Sequence, residues 1–203
     1  RRMVSMDNEH VIANTVEITP LNGDVQIEIE SGIDGTVTNT GSQHFSEGIR
    51  RIYGNRFLEM ISETTQSGVM AAVHAAHSIY LDGYLAEPEL LPVIDRRIIR
   101  IRYKLQLAQR STLRVEKIST VHTSRDLCYA CRKEEEVKEE LKKTGKELIF
   151  GLQGKTYEEL LKDSSRQWEK IWGEQEIRIK SVNDFDQLAL RFAVYHLNIM
   201  VKK

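Results

Sequence analysis

Apolar and polar residues alternate with a period of two through much of the first two thirds of the chain. The clearest stretch, residues 99–107, places these apolar side chains on one face: Ile99, Ile101, Tyr103, Leu105 and Leu107. Residues 24–31 follow the same pattern with Val25, Ile27 and Ile29. Since successive side chains of a strand point to opposite faces, this period is typical of antiparallel strands with one face in water. We therefore predict a mainly β fold.

Short turn sequences between the apolar runs indicate how the strands pair. Asn22-Gly23 tolerates positive φ, and we therefore predict a hairpin between residues 11–19 and 24–31. Residues 112–122 follow the strand at 99–107 after a short connection, and we predict that they return beside it.

Two more strands are predicted at residues 56–65 and 69–81, joined at Gln66-Ser67-Gly68. Residues 34–55 differ, because they contain Gly35, Gly41, Gly48 and Gly54 among threonines and asparagines. We predict a loop-rich stretch there with one short strand. Long loops between strands often bind ligands, although they also serve as plain connections.

Beyond Ser124 the period changes to that of helices. Residues 133–148 are charged, with a thin apolar stripe at Val137, Leu141 and Leu148 that predicts a surface helix. Thr156 and Glu159 have the spacing of a capping box at the start of a second helix.

The second helix carries apolar residues at helical spacing on one face, and we predict that it ends at Gly173. A short strand is predicted at residues 175–180. Asn183 or Asp184 then begins a third helix, whose broad face contains Phe185, Leu188, Ala189, Phe192, Tyr195, His196, Ile199 and Met200. An apolar face of this breadth predicts a partner surface.

The composition narrows the classes of protein to which the chain can belong. The chain has 203 residues, a net charge of -1 and two cysteines. A neutral balance gives no electrostatic attraction to nucleic acid or an anionic membrane, and the most apolar run, 69–81, is too short to span a bilayer. We expect a cytoplasmic, reducing setting. Arg1-Arg2 precedes no apolar run and no initiator methionine is present, so we expect a chain taken from inside a longer protein.

Two residue groups could in principle carry metal or redox chemistry. Cys128 and Cys131 form a C-x-x-C pair, but no second cysteine pair accompanies it and His122 would bring the ligands to three only. His74 and His77 would share a face of a helix but not of a strand. The interpretation we favour is two thiols without a role and no metal site.

The loop around His44 is the candidate for sugar binding. Gln43, His44 and Phe45 combine an aromatic face with polar side chains, which suits a carbohydrate, while packing beneath the loop is the alternative. Trp168 and Trp172 share the apolar face of their helix, which favours a packing role. We assign no catalytic residue, because the carboxylates predicted on strand and helix surfaces are typical solvated residues.

Several segments resemble the amino-terminal domain of glycoside hydrolase family 65. Arg1-Arg2-Met3-Val4-Ser5 is similar to a strand of that domain with the pattern Arg-Arg-Phe-x-Ser, and residues 31–39 resemble its pattern Ser-x-Ile-Asp-Gly-x-Val-x-Asn. Other segments that fit are Glu17-Ile18-Thr19-Pro20-Leu21-Asn22, Gln43-His44-Phe45-Ser46-Glu47, Thr123-Ser124-Arg125-Asp126, Trp168-Glu169-Lys170-Ile171-Trp172 and Asp186-Gln187-Leu188-Ala189-Leu190-Arg191-Phe192. The motifs are short, but their common order is specific.

The resemblance implies a fold and a division of the chain. Residues 1–127 would be part of an antiparallel β super-sandwich, and residues 128–182 a helical extension with a short strand. Residues 183–203 would be a linker helix that leads toward an (α/α) barrel outside this chain. The barrel would be the principal partner, and family members are largely homodimers.

The resemblance also implies an activity for the full-length protein. Members of the family cleave α-linked disaccharides such as kojibiose, trehalose or maltose with inorganic phosphate and invert the anomeric centre. No metal or organic cofactor is implied. The family's general acid and phosphate-binding residues have no matching position here, so the chain alone is expected to be non-catalytic. Two alternatives are a free-standing carbohydrate-binding β-sandwich and the same region of a trehalase-like hydrolase.

Overall fold

The computed structural model describes residues 1–54, 56–129 and 133–200 of the chain. Within these ranges the strands are β1 (Arg2–Val4), β2 (Val11–Ile18), β3 (Val25–Asp34), β4 (Thr38–Asn39), β5 (Ser42–Gln43), β6 (Ile49–Tyr53), β7 (Phe57–Glu63), β8 (Met70–Leu81), β9 (Tyr84–Ala86), β10 (Leu90–Asp95), β11 (Ile98–Leu107) and β12 (Leu113–Thr123). A short 3-10 helix, Leu127–Tyr129, precedes helices α1 (Glu134–Gly151), α2 (Tyr157–Gln175) and α3 (Asp184–Met200). The predicted fold class, mainly antiparallel β with helices at the carboxyl-terminal end, is confirmed.

Two main sheets contain most of the strands. The larger sheet has the order β1-β2-β12-β8-β7-β6, and β9 also pairs with β8. The smaller sheet has the order β10-β11-β3, while β4 pairs with β5 alone. In the smaller sheet, β3 and β11 pair along their whole length, from Ile98 opposite Asp34 to Leu107 opposite Val25.

The main hydrophobic core lies between these two sheets. Leu58, Ala75 and Leu113 of the larger sheet pack with Ile99 and Ile101 of the smaller one, and all five are buried. The inward side chains of both sheets therefore form one apolar layer, as in a β-sandwich. The alternation predicted for β11 is confirmed, because its apolar face lies in this core.

The opposite face of the larger sheet is covered by helices. Val137 and Leu141 of α1 pack against Ile61 and Ala72, in a second apolar cluster that excludes water from this face. A further cluster joins Ile149, Tyr157 and Leu160 of α1 and α2 to Val11, Ala13, Phe57 and Ile118 of the sheet. The larger sheet is therefore buried on both faces, and its central strands have no solvated side.

A buried carboxylate fixes the start of α2 against the sheet. Glu116 of β12 is 2% exposed, and its Oε2 accepts a hydrogen bond of 3.0 Å from the backbone N–H of Tyr157. This N–H belongs to the first turn of α2, where helical N–H groups have no partner within the helix and negative charge is favourable. The predicted capping box of Thr156 and Glu159 is present beside it.

Removing the cap residue tests this start of the helix. Thr156→Ala should lower the free energy of unfolding by about 1 kcal/mol, because the Glu159 N–H loses the side-chain oxygen that accepts it. Urea unfolding followed by circular dichroism measures the change. Thr38→Ala is the control, because Thr38 is exposed and should change stability by less than about 0.5 kcal/mol. Equal effects of the two substitutions would contradict the capping role.

Two predicted strand pairings are wrong. The strand at residues 11–19 does not pair with that at 24–31, because β2 pairs with β1 and β12 while β3 pairs with β11 in the other sheet. Likewise, β12 does not return beside β11 but lies between β2 and β8. In both cases the connection crosses from one sheet of the sandwich to the other. The strands predicted at residues 56–65 and 69–81 are confirmed as β7 and β8, which pair with each other.

Three local predictions also need correction. Helix α2 continues past Gly173 to Gln175. The strand predicted at residues 175–180 is absent, because residues 176–180 have no regular secondary structure and are largely exposed. Residues 34–55 contain β4, β5 and β6 where one short strand was predicted, and β6 extends the larger sheet by pairing with β7.

Candidate functional site

The apolar face of α3 lies at the protein surface. None of the described residues of α3 is buried, and Phe192 in the middle of the face is 64% exposed. Phe185 and Leu188 are similarly exposed. The predicted start of this helix at Asp184 and its uncovered apolar face are therefore confirmed. Such a contiguous face is typical of a surface that another protein body covers.

A small number of contacts attach α3 to the preceding helix. The ring centroids of Tyr195 and Trp168 are 5.0 Å apart. Arg191 forms an ion pair with Glu176, and its hydrogen bond, with a further one from Arg178, lowers the pKa of that carboxyl. The side chain of Gln187 accepts a hydrogen bond from the Ile179 N–H at 2.9 Å. These contacts hold α3 beside α2, while most of its apolar face remains exposed.

A long groove of about 1390 Å³ separates α3 from the edge of the larger sheet. It is lined mainly by apolar side chains of β1, α2 and α3, among them Met3, Val4, Leu161, Trp168, Ile171 and Ile199. We call the groove and the exposed face of α3 together the docking surface. Trp168 and Trp172 are half-buried and stack on each other, Trp168 lines the groove, and neither residue is part of the cores described above.

The predicted sugar-binding loop is held by hydrogen bonds from side chains to backbone carbonyls. The side-chain amide of Gln43 donates to the carbonyls of Gly35 and Phe45, at 2.9 and 3.4 Å. Arg97 Nε donates to the Phe45 carbonyl at 2.9 Å. His44 is half-buried, and its Nε2 has no hydrogen-bond partner in the described structure. Gln43, His44 and Phe45 do not line the groove, and their role in sugar binding stays a prediction.

The cysteine and histidine predictions fall in different parts of the fold. Cys128 is a free, exposed thiol, and Cys131 lies outside the described residues. His122 is 3% exposed and stacks on His10, with ring centroids 4.1 Å apart. Within residues 1–54, 56–129 and 133–200, no group of three or more His, Cys, Asp or Glu side chains is placed to hold a metal ion.

His74 and His77 lie on β8 and point to opposite faces, as the strand prediction requires. His74 faces the helices, and its Nε2 is 3.2 Å from Oε2 of Glu59, with both side chains 2% exposed. Burial acts to raise the pKa of Glu59. The hydrogen bonds from His74 and Tyr53 and the electrostatic effect of His74 act in the opposite direction, and the pKa of Glu59 is lowered. His77 faces the smaller sheet and contacts Ser31 Oγ at 2.9 Å.

The two buried carboxylates, Glu59 and Glu116, were not predicted from the sequence. Glu59 lies within the apolar run Phe57–Glu63, and a charged residue inside such a run was the available signal. Glu116 had no comparable signal, because its partner Tyr157 is 41 residues away. Both carboxylates are engaged by groups of the fold itself, so neither is presented to a substrate. No helix in the described part of the chain combines the length and apolar character needed to cross a membrane.

Comparison with known proteins gives the family context of these features. The family model described as "Glycosyl hydrolase family 65, N-terminal domain" matches residues 1–171 of the chain. The kojibiose phosphorylase of Halothermothrix orenii is 32% identical over 198 residues, which covers 97% of this chain and 25% of that protein. The kojibiose phosphorylase of Escherichia coli is 30% identical over 203 residues, or 98% of this chain and 25% of that protein. The chain thus spans about a quarter of the length of these curated relatives.

A solved structure agrees with the fold. It comes from a provisionally named kojibiose phosphorylase of the human microbiome, and it superimposes with a TM-score of 0.73 over 96% of this chain and 24% of that one. The sequence identity is 13%, so this likeness concerns the fold alone. The family match, by contrast, covers most of the chain, and the relatives align along nearly all of it. The chain therefore belongs to glycosyl hydrolase family 65 and corresponds to the amino-terminal domain of that family.

Proposed function

We propose that this chain is the non-catalytic amino-terminal region of an inverting α-disaccharide phosphorylase. The observation that carries the proposal is its similarity, along 97% and 98% of its length, to two proteins named kojibiose phosphorylases. The two buried carboxylates support a structural role, because Glu59 is bound to His74 and Glu116 to the first turn of α2.

The proposed partner is an (α/α) barrel of the same protein. The docking surface supports this assignment, because the uncovered face of α3 and the adjoining groove provide a large apolar area at the carboxyl-terminal side of the domain. Burial of such a face gains roughly 25 cal/mol for each Å² removed from water, which would hold the two bodies together. Residues 1–127, 128–182 and 183–203 are the proposed sandwich, helical extension and linker helix.

The proposed reaction takes place in the barrel. A general acid would protonate the glycosidic oxygen as its bond to the anomeric carbon breaks, while an oxygen of inorganic phosphate forms the new bond from the opposite face. An α-linked disaccharide would then give a β-sugar 1-phosphate and a free sugar. Phosphate is a co-substrate, and neither a metal nor an organic cofactor is proposed. We place the full-length protein in the cytoplasm as a homodimer, by analogy with the family.

Phosphate dependence tests this function directly. The full-length protein is incubated separately with kojibiose, trehalose and maltose, with and without inorganic phosphate, and products are followed by ³¹P and ¹H NMR. We expect a β-sugar 1-phosphate from at least one disaccharide and no cleavage without phosphate. The 203-residue chain alone is the control and should give no product. Release of free sugar at the same rate without phosphate would identify a trehalase-like hydrolase instead.

A further inference from the structure

A second, smaller cavity opens at the side of the sandwich, at the end of β8 where β9 turns back. Its volume is about 280 Å³, room for roughly nine water molecules at about 30 Å³ each. The cavity is lined by the turn before β7, by β8 and β9, by the connection to β10 and by Tyr103 of β11. None of the residues named as lining the docking surface lines this cavity, so the two are separate features of the domain.

Two buried polar side chains line this cavity from the interior. His77 is 4% exposed; one ring nitrogen contacts Ser31 Oγ at 2.9 Å, and Nδ1 has no partner in the described part of the chain. Tyr103 is 3% exposed, and its side chain lines the cavity together with that of His77. The ring centroids of His77 and Tyr103 are 6.1 Å apart. Buried polar groups normally have partners, so the free Nδ1 of His77 is available for a bound molecule.

Both interior groups are electrically neutral near pH 7. Burial, with the positive charge of Lys117, lowers the pKa of His77 to about 3, so the imidazole is uncharged with one donor and one acceptor nitrogen. Burial raises the pKa of Tyr103, which therefore keeps its hydroxyl proton as a donor. The cation of Lys117 is itself engaged by the carbonyl of Gly32.

The rim of the cavity adds polar groups without adding net charge. Arg56 Nη2 and Glu87 Oε1 are 2.9 Å apart, so one cation and one anion compensate each other. Apolar side chains of Leu85, Pro88 and Leu90 complete the wall. Several donors and acceptors of zero net charge beside an apolar wall match a ring that carries many hydroxyl groups on one side and C–H groups on the other.

We propose that this cavity binds a small neutral polyhydroxyl compound of the size of one sugar ring. A volume of about 280 Å³ lies just below the range of about 300–1,000 Å³ that is typical of sites for drug-sized ligands, which favours a monosaccharide unit over an oligosaccharide. The inference rests on the contacts of His77 and Tyr103. It is independent of the proposed phosphorylase reaction, so either can fail without the other.

Titration of the ¹⁵N-labelled 203-residue chain with glucose tests the site. Saturable amide shifts at Arg56, His77 and Tyr103 are expected, with a dissociation constant on the order of millimolar. Tyr103→Phe removes only the hydroxyl and keeps the ring in the core, so it should weaken binding by up to about tenfold. Tyr195→Phe removes a hydroxyl from α3 and is the matched control, for which the affinity of the unmodified protein is expected.

Three results would overturn the proposal. Shifts that rise linearly with glucose concentration would mean that the cavity holds water only. Saturable binding of inorganic phosphate in place of glucose, in a parallel titration, would mean that the site selects anions through Arg56. Equal glucose affinity of the Tyr103→Phe variant and the unmodified chain would place the sugar elsewhere. The Tyr103→Phe variant is expected to unfold at nearly the same urea concentration as the unmodified chain, since the aromatic ring stays in the core.

Discussion

The free energy of unfolding should fall by up to about 4 kcal/mol as the pH is lowered from 6.5 to 4.5. The cause is a pair of histidines that the fold buries in neutral form on opposite faces of the larger sheet. Burial and the charge of Lys117 lower the pKa of His77 to about 3. Burial, together with the neighbouring imidazoles of His10 and His74, lowers the pKa of His122 to about 4, although the charge of Asp126 acts in the opposite direction.

The sign of the effect follows from proton binding. In the unfolded chain both imidazoles become protonated near pH 6.5, whereas in the folded chain they remain neutral until the pH approaches 4 and 3. Between about pH 6.5 and pH 4 the unfolded state binds more protons than the folded state, so lowering the pH favours unfolding. Above pH 7 the imidazoles are neutral in both states and make no contribution to the pH dependence.

Urea unfolding at a series of pH values from 8 to 4.5 measures this loss. The profile should be flat between pH 8 and 7, apart from other groups, and should then fall as the pH drops below 6.5. The double variant His77→Asn and His122→Asn should lose most of that fall, whatever its stability at pH 8, because neither position can then take up a proton. An unchanged slope in the double variant would rule out these two histidines as the cause.

The alternation of apolar and polar residues predicted the strands but not their neighbours in the sheets. The strands predicted at residues 24–31 and 99–107 were recognisable because each has one face in water, and the alternation of apolar and polar residues reports that face directly. Alternation does not report which strand lies alongside, since β2 and β3 are neighbours in sequence but lie in different sheets. The pairing depends on how the whole sandwich closes, and a local turn such as Asn22-Gly23 does not contain that information.

Strand β8 shows a second limit. It is covered by the smaller sheet on one side and by α1 on the other, so both His74 and His77 are buried although they point in opposite directions. Its alanines favour a helix by intrinsic propensity, and the tertiary structure overrides that preference. The cavity at His77 and the carboxylate of Glu116 were likewise not predictable, because each combines residues from strands or helices far apart in sequence.

Helix α1 is expected to tolerate no side chain at its closest approach to the sheet. A Cβ atom at Gly145 would lie 2.5 Å from Cε1 and 2.6 Å from Nδ1 of His74, well inside normal contact distances. The imidazole cannot easily move away, because it is buried and its Nε2 is 3.2 Å from Oε2 of Glu59. Glycine is therefore required by packing at this position, even though it is an unfavourable residue in a helix.

Gly145→Ala should lower the free energy of unfolding by about 2 kcal/mol, because the cost of overpacking exceeds the gain of up to about 1 kcal/mol from the helix propensity of alanine. Gly173→Ala in α2 is the matched control, since no heavy atom lies within 4 Å of a Cβ atom there. This second substitution should leave stability unchanged or raise it. Urea unfolding of both variants at pH 7.5 gives the difference, and a Gly145→Ala variant as stable as Gly173→Ala would mean that α1 can shift away from His74 at little cost.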